Sequence, residues 1–289
     1  MSEVKDFLSP VRPTWCPGCG NHGIWNGLKM ALAGLNLTPH EVLIVSGIGC
    51  GSKLPDYTRA NGFMSIHGRT MAVATGAKLA NHSLTVIAVH GDGDGYGMGM
   101  GHFVHAARRN IDVVDVHQNN QVYGLTKGQY SPTSDHGYRS KTSPEGAIEA
   151  AVNPLAIALA AGATFVSRGF ALDPKHLSQV FTKAIEHRGY ALVDVLQPCV
   201  TFNKVNTYDW YKGRVFKVED EERYDPTNRA AAFRTALEWG ERIPIGVVYQ
   251  VEGNPTYEDD VPALTDGPLV KQPLRRSTEE YEVLKEEFV

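Results

Sequence analysis

H-G-D-G-D-G-Y-G-M-G-M-G-H at His90–His102, followed after 14 residues by H-Q-N-N-Q-V-Y-G-L-T-K-G-Q at His117–Gln129, is the most informative stretch of this 289-residue chain. It opens behind Leu84-Thr-Val-Ile-Ala-Val89, an apolar, β-branched run that does not alternate and therefore reads as a buried parallel strand. The strand stops at Gly91-Asp92-Gly93, and Gly95, Gly97, Gly99 and Gly101 lead into a helical segment ending near Arg109. A second strand, Ile111–Val116, delivers Asn119 and Asn120. The unit is β-α-β, with polar, ligand-type residues at the carboxyl ends of both strands. Open α/β sheets bind their ligands at that edge.

The chemistry there suits a diphosphate carried on magnesium. Glycines let backbone N–H groups approach phosphate oxygens, and the helix N-terminus adds the positive end of its dipole. Magnesium takes oxygen ligands in an octahedral array. Asp92 offers a carboxylate, Asn120 an amide oxygen and Val122 a carbonyl. Gly93 and Asn119 are separated by 25 residues, room for one helix and one strand. A G-D-G followed at that interval by N-N resembles the diphosphate-binding signature of thiamine diphosphate enzymes. A dinucleotide fold is the competing reading, but the strict G-x-G-x-x-G order is missing and no acidic residue closes the second strand. The resemblance implies an α/β thiamine diphosphate-binding fold, a mainly parallel sheet flanked by helices.

The remaining composition is that of an ordinary globular chain, 42% hydrophobic and 21% charged. A net charge of −4 gives no reason to expect nucleic acid or an anionic membrane as partner. No signal-peptide pattern or bilayer-length apolar run is present, so a cytoplasmic location is expected. In such a location four cysteines point to metal or redox chemistry more than to disulfides. Cys16 and Cys19 form a tight pair in W-C-P-G-C-G, Cys50 follows after 30 residues in G-I-G-C, and Cys199 after a further 148 in Q-P-C. Four thiolates suit a [4Fe–4S] cluster or a tetrahedral zinc equally. Against a zinc ribbon, Cys50 and Cys199 are isolated and do not repeat the C-x-x-C knuckle. The Gly18 and Gly20 N–H groups are expected to bond to the cluster sulfurs.

W-C-P-G-C-G, G-I-G-C, I-H-G-R at Ile66–Arg69, G-D-G-D with N-N, Y-G-L-T-K-G-Q-Y-S-P-T at Tyr123–Thr133 and the late Q-P-C together resemble the β subunit of 2-oxoacid:ferredoxin oxidoreductases. The resemblance covers about residues 12 to 200. It implies that this chain binds the diphosphate end of thiamine diphosphate with Mg2+ and one [4Fe–4S] cluster on Cys16, Cys19, Cys50 and Cys199. A larger α subunit would supply the pyrimidine-binding domain and its activating glutamate. The implied reaction is oxidative decarboxylation of a 2-oxoacid, with coenzyme A taking the acyl group and ferredoxin the electrons; the reverse direction would fix CO2.

Within that frame, Gly47 and Gly49 allow backbone approach to the cofactor, and Ser46 is placed to contact the thiazolium. His67, at a helix N-terminus, can donate to a diphosphate oxygen. Gly91, Asp92, Gly93 and Asp94, with Asn120, Val122, Gly124, Leu125 and Thr126, complete the expected cofactor contacts. Lys53 and Lys127 are candidates for a substrate carboxylate, and Leu125 for the pocket wall. Two converging lysines would favour 2-oxoglutarate over pyruvate or a branched-chain 2-oxoacid, although either could instead serve coenzyme A. The rival readings are a non-redox thiamine decarboxylase or synthase with structural zinc, and a zinc-stabilised binding scaffold. The intact Asp92/Asn120 pair argues against the scaffold. Residues 1–199 read as the cofactor domain. Residues 200–289 read as an extension packed on the core or a partner, with a helix from about Asp225 to Trp239 and, over Ser277–Val289, either a short acidic surface helix or a loosely ordered tail.

Overall fold

A computed structural model describes residues 1–273, 275 and 277–288. The helix α1 (Asn21–Gly34) leads to β1 (Val42–Ser46), and a one-turn helix α2 (Leu54–Tyr57) to β2 (Asn61–Met64). Then come α3 (Thr70–Ala80), β3 (Thr85–Gly91), a π-helical turn over Gly93–Met98, α4 (Met100–Arg109) and β4 (Val114–Asn119). A two-residue hairpin, β5 (Val122–Tyr123) with β6 (Gln129–Tyr130), precedes α5 (Pro154–Ala161), β7 (Phe165–Phe170), α6 (Pro174–Glu186) and β8 (Ala191–Leu196). The final third holds α7 (Tyr208–Tyr211), β9 (Val215–Lys217), α8 (Arg229–Ala236), β10 (Ile243–Gln250) and α9 (Thr278–Glu286).

Eight strands form one sheet in the order β2-β1-β3-β4-β8-β7-β10-β9. Six run parallel; β10 pairs antiparallel with β7, and β9 runs parallel to β10. Side chains alternate between two cores, as the pleat requires. Ile44, Ile87, Val89, Val116 and Val193 face α1 and α6 through Ile24, Leu28, Leu177 and Phe181. Val45, Val86, Ala88, Val166 and Leu192 face α3, α4, α5 and α8 through Met71, Phe103, Leu155 and Ala232. Burial on both faces is why β1 and β3 read as apolar runs without alternation.

The chain leaves β1 toward β2 on one side and returns to β3 on the other, so strand order reverses between β1 and β3. The loops after β1, β3, β4 and β8 all leave the same edge, and the crevice at this switch point is where a doubly wound sheet places its ligand.

Helix ends follow local chemistry. Asp173 caps α6, accepting from the His176 N–H at 3.0 Å, with Pro174 at the first helical position. Expected element boundaries shift. The strand expected at Ile111–Val116 runs Val114–Asn119, because the Val113 N–H turns back to the Ile111 carbonyl at 2.8 Å. The helix expected from Asp225 begins at Arg229, because Asp225 accepts from Thr227 in its own turn while Asn228 caps the helix. The stretch around Lys53 is coiled into short helices, and Tyr123–Thr133 contains the β5–β6 hairpin. Within 200–289, β9 and β10 extend the main sheet and α8 packs on it. Among the described residues no helix is long and apolar enough to cross a membrane. The acidic helix expected to Val289 is seen as Thr278–Glu286, and Val289 itself lies outside the described residues.

Candidate active site

At the switch point a cavity of about 70 Å³ is walled by three loops. Ile48, Gly49, Cys50 and Gly51 come from the loop after β1, Gly91, Asp92, Gly93 and Asp94 from β3 and its turn, and Gln118, Asn120 and Val122–Thr126 from β4 and the hairpin. His67 closes one side. Of the expected cofactor residues Ser46 and Gly47 are outside the lining; Ser46 is buried, its hydroxyl without a protein partner.

Asp92 is fully buried at the floor. Ser131 and Thr133 hydroxyls both donate to its Oδ2, at 2.5 and 2.7 Å, leaving Oδ1 without a hydroxyl donor. Burial raises its pKa to about 6 against these bonds and that from the Gly93 N–H. A buried carboxylate held up in this way gains most from a cation. The Asn120 Oδ1 accepts from the Val122 N–H at 3.0 Å and retains a second lone pair. Asp92, Asn120 and Val122 line one cavity, and a carboxylate, an amide oxygen and a backbone carbonyl make a donor set that fits Mg2+.

Glycines clear the space. A β-carbon on Gly93 would sit 2.1 Å from Tyr123 Cε1, and one on Gly47 would sit 1.8 Å from Asp94 Oδ2. The Tyr123 hydroxyl donates to the Gly93 carbonyl at 3.1 Å, locking hairpin to turn. Asp94 lines the cavity, but its Oδ1 accepts from the Gly68 N–H at 2.5 Å and lies 3.8 Å from His67 Nδ1. Its position is that of a brace for the His67 loop. The π turn, with the Gly99 N–H on the Asp94 carbonyl at 2.9 Å, is a local irregularity often found where function distorts a helix.

The four cysteines are free and gather beside this cavity. From the position a Gly124 β-carbon would take, Cys50 Sγ is 3.7 Å away and Cys199 Sγ 3.8 Å. Burial drives the Cys19 thiol up to about 11, and Cys199, Cys50 and Cys16 push it in the same direction. Cys50 is also raised by burial and by Cys199, while the nearby Lys53 charge opposes. A thiophilic metal centre would relieve the resistance of Cys19 and Cys50 to ionisation, since a cation favours thiolates crowded in one place. Cys50 and Gly124 line the cavity as well, so the thiol cluster and the cofactor cavity share a wall.

Donors to sulfur differ from expectation. The Gly20 N–H goes to the Pro198 carbonyl at 3.4 Å. The Asn21 N–H, the Gln197 amide at 3.3 Å and the Thr201 hydroxyl at 3.2 Å reach Cys19, Cys19 and Cys16 respectively. The lysines do not meet in the cavity. Lys53 Nζ lies 3.2 Å from Thr14 Oγ1, and Lys127 is exposed in a turn with φ of 81°. The Thr126 hydroxyl is engaged within the hairpin by Gln129 at 2.6 Å, and Leu125 is 48% exposed at the rim. Sequence reasoning passed over Gln118, Gln197, Ser131 and Thr133. The last two lie in the quoted Tyr123–Thr133 motif, and their hydroxyls twelve or so residues past Asp92's partner Asn120 were the available signal.

Below the floor lies a buried polar layer. His90 Nε2 is 2.5 Å from Asp115 Oδ1, Tyr190 donates to Asp115 Oδ2 at 2.6 Å, and His117 stacks on Tyr96 at 3.8 Å. Desolvation works against a charged His90, but the charge and hydrogen bond of Asp115 raise its pKa overall; His117, desolvated and next to His90, is lowered.

Residues 45–195 match the family profile described as thiamine pyrophosphate enzyme, C-terminal TPP binding domain, and residues 199–266 match the profile for the C-terminal part of the pyruvate ferredoxin oxidoreductase beta subunit. The chain is 46% identical over 287 residues to 2-oxoacid:ferredoxin oxidoreductase 1, subunit beta, of Aeropyrum pernix, covering 94% of this chain and 90% of that protein. It is 48% identical over 199 residues to 2-oxoglutarate oxidoreductase subunit KorB of Mycobacterium tuberculosis, covering 69% and 53%. Among solved structures, the 2-oxoglutarate:ferredoxin oxidoreductase of Magnetococcus marinus, with 2-oxoglutarate, coenzyme A and succinyl-CoA bound, superposes with a TM-score of 0.90 at 37% identity over 98% of this chain and 96% of that one.

Proposed function

The chain belongs to the β-subunit family of 2-oxoacid:ferredoxin oxidoreductases and carries their thiamine pyrophosphate-binding domain, and from this we propose that, with a larger α subunit, it oxidatively decarboxylates 2-oxoglutarate to succinyl-CoA and passes the electrons to ferredoxin. The observation that carries the redox reading is the wall shared by the cofactor cavity and the four thiols, at Cys50 and Gly124. Short separation lets electrons leave one at a time. The names of the KorB relatives and the ligands of the Magnetococcus enzyme support 2-oxoglutarate.

Asp92, Asn120 and the Val122 carbonyl would hold Mg2+, and His67 would donate to a diphosphate oxygen. Thiamine diphosphate, when bound, supplies the electron sink for decarboxylation. Ser131 and Thr133 fix the Asp92 carboxylate, and Asp94 fixes the loop that presents His67. Cys16, Cys19, Cys50 and Cys199 would carry one [4Fe–4S] cluster. No carboxylate of this chain is assigned to activation of the aminopyrimidine, and we assign that glutamate to the α subunit. Exposed Ile48 and Leu125 at the cavity, Ile66 beside His67, and Met98 against Gly68 form an apolar rim suited to that subunit's docking.

The test is an anaerobic visible and EPR spectrum of the complex before and after adding 2-oxoglutarate and coenzyme A. Brown absorption that bleaches on addition is expected, and pyruvate in its place should bleach it far more slowly. Equal bleaching by pyruvate would overturn the substrate assignment. A colourless, zinc-containing protein would leave a non-redox thiamine enzyme. In Cys199→Ser, ferredoxin reduction should be lost while thiamine diphosphate binding is largely kept.

A further inference from the structure

We propose that Gln197 is a positioning residue that joins the magnesium site to the iron–sulfur cluster through one directional hydrogen-bond chain, so that occupation of one site shifts the other; this rests on the cofactor assignments above. The Val122 N–H donates to Asn120 Oδ1 at 3.0 Å, Asn120 Nδ2 donates to Gln197 Oε1 at 2.8 Å, and Gln197 Nε2 donates to Cys19 Sγ at 3.3 Å and to the Pro198 carbonyl at 3.2 Å.

Backbone groups that cannot reverse their roles fix both ends. The Val122 N–H can only donate, so Asn120 must present its oxygen there and its NH2 to Gln197. The Pro198 carbonyl can only accept, so Gln197 must present its NH2 there and to the sulfur. Flipping either amide alone sets like groups together at its backbone partner and at the Asn120–Gln197 contact, and flipping both sets like groups together at both ends of the chain.

The link is also rigid. Gln197 is 1% exposed, and its own N–H is bound to the Asn119 carbonyl at 2.8 Å, where β8 and β4 run side by side. A β-carbon on Gly20 would lie 2.9 Å from Gln197 Cγ, so the side chain fills the space that glycine leaves. The Asn120 carbonyl is held separately by Asn203 Nδ2 at 3.1 Å.

The consequences follow at each end. Holding Asn120 keeps its second oxygen lone pair toward the cavity, the role that outer partners play for metal ligands. The N–H···S bond stabilises the more electron-rich cluster and raises its reduction potential. Magnesium on Asn120 Oδ1 withdraws electron density, strengthens its N–H toward Gln197, and so strengthens the bond to Cys19. Cofactor binding therefore raises the cluster midpoint, and by linkage the reduced cluster binds Mg–thiamine diphosphate more tightly by the same factor.

The experiment is an EPR-monitored potentiometric titration of the whole complex, wild type and Gln197→Met, with and without Mg–thiamine diphosphate, alongside calorimetric cofactor affinity. The expected result is a midpoint that rises on cofactor binding in the wild type. In Gln197→Met the midpoint should be more negative, nearly insensitive to cofactor, and the affinity about 10-fold weaker. Gln197→Glu, which keeps the acceptor for Asn120 and removes the amide donor to sulfur, should lower the midpoint while retaining affinity; it serves also if the Met variant does not assemble. A wild-type complex with no iron–sulfur signal would sink the cofactor assignments and this chain of bonds with them. A normal signal whose midpoint is unmoved by these substitutions overturns the role of Gln197 alone.

Discussion

Asp92 has a carboxyl whose pKa rises from 3.8 to about 6 on burial, and the sign of the effect sets two expectations. Between those values the folded protein keeps a proton that the unfolded chain releases, so without metal this group opposes folding increasingly as pH rises through the window. Asp92→Asn removes that penalty, by up to about 3 kcal/mol. Thermal melts of the metal-free protein should show the variant more stable than wild type near neutral pH and no better at the acid end. Magnesium–cofactor binding should be lost in the variant, and in the wild type should weaken as pH falls below about 6 because a proton competes for the carboxylate. A metal-free melt unchanged by the substitution would contradict the burial argument. Gly93 offers a steric counterpart: Gly93→Ala drives a methyl into the Tyr123 ring, and calorimetry should show both weaker cofactor binding and a stability loss of about 1–3 kcal/mol.

Among the elements, α1 and α6 pack on the same face of the sheet and set the cysteines in place. α1 begins two residues after Cys19, and a β-carbon on Gly23 would sit 1.9 Å from the Ala171 carbonyl oxygen. Gly23→Ala should push α1 outward and lower the iron bound per chain, measured directly as iron and sulfide content; full iron content would show that the cysteine loop adjusts independently of the helix. For α6 the determinant is its cap. Asp173 accepts the His176 N–H and pairs with Lys217 at 3.1 Å, so Asp173→Ala should cost about 1–2 kcal/mol in denaturant unfolding. Cofactor affinity should not change, since neither partner reaches the cavity.

At the scale of the molecule, residues beyond 200 are part of the sheet. β10 covers the β7 edge with Val247 in one core and Val248 in the other, and β9 closes the outside. A chain ending before Val215 would leave Phe165–Phe170 as an open edge with unpaired backbone groups. Such a truncation is expected to be insoluble when expressed, and sedimentation of a well-folded monomer would refute the structural role of β10. The exposed apolar rim at the cavity mouth is consistent with the proposal that this β subunit supplies one wall of an active site completed by another chain.

What the sequence determined by itself was local and compositional. The apolar run at 84–89 declared a parallel strand, Asp173-Pro174 carries the residue types of a helix start, and the G-D-G, the N-N pair and the four cysteines marked the residues that the structure gathers at one sheet edge, because each depends on residue type at short spacing. The register of β4 was not legible, since Ile111 and Val113 are as apolar as strand residues and only packing makes them a turn. Nor were β9 and β10, whose pairing partners lie far along the chain. Tertiary structure alone decided that Lys53 bonds to Thr14, that Lys127 is not among the residues lining the cavity, and that Gln197 bridges Asn120 and Cys19. Those placements depend on which loops the sheet edge brings together across as many as 178 positions, a distance over which sequence pattern carries no geometry.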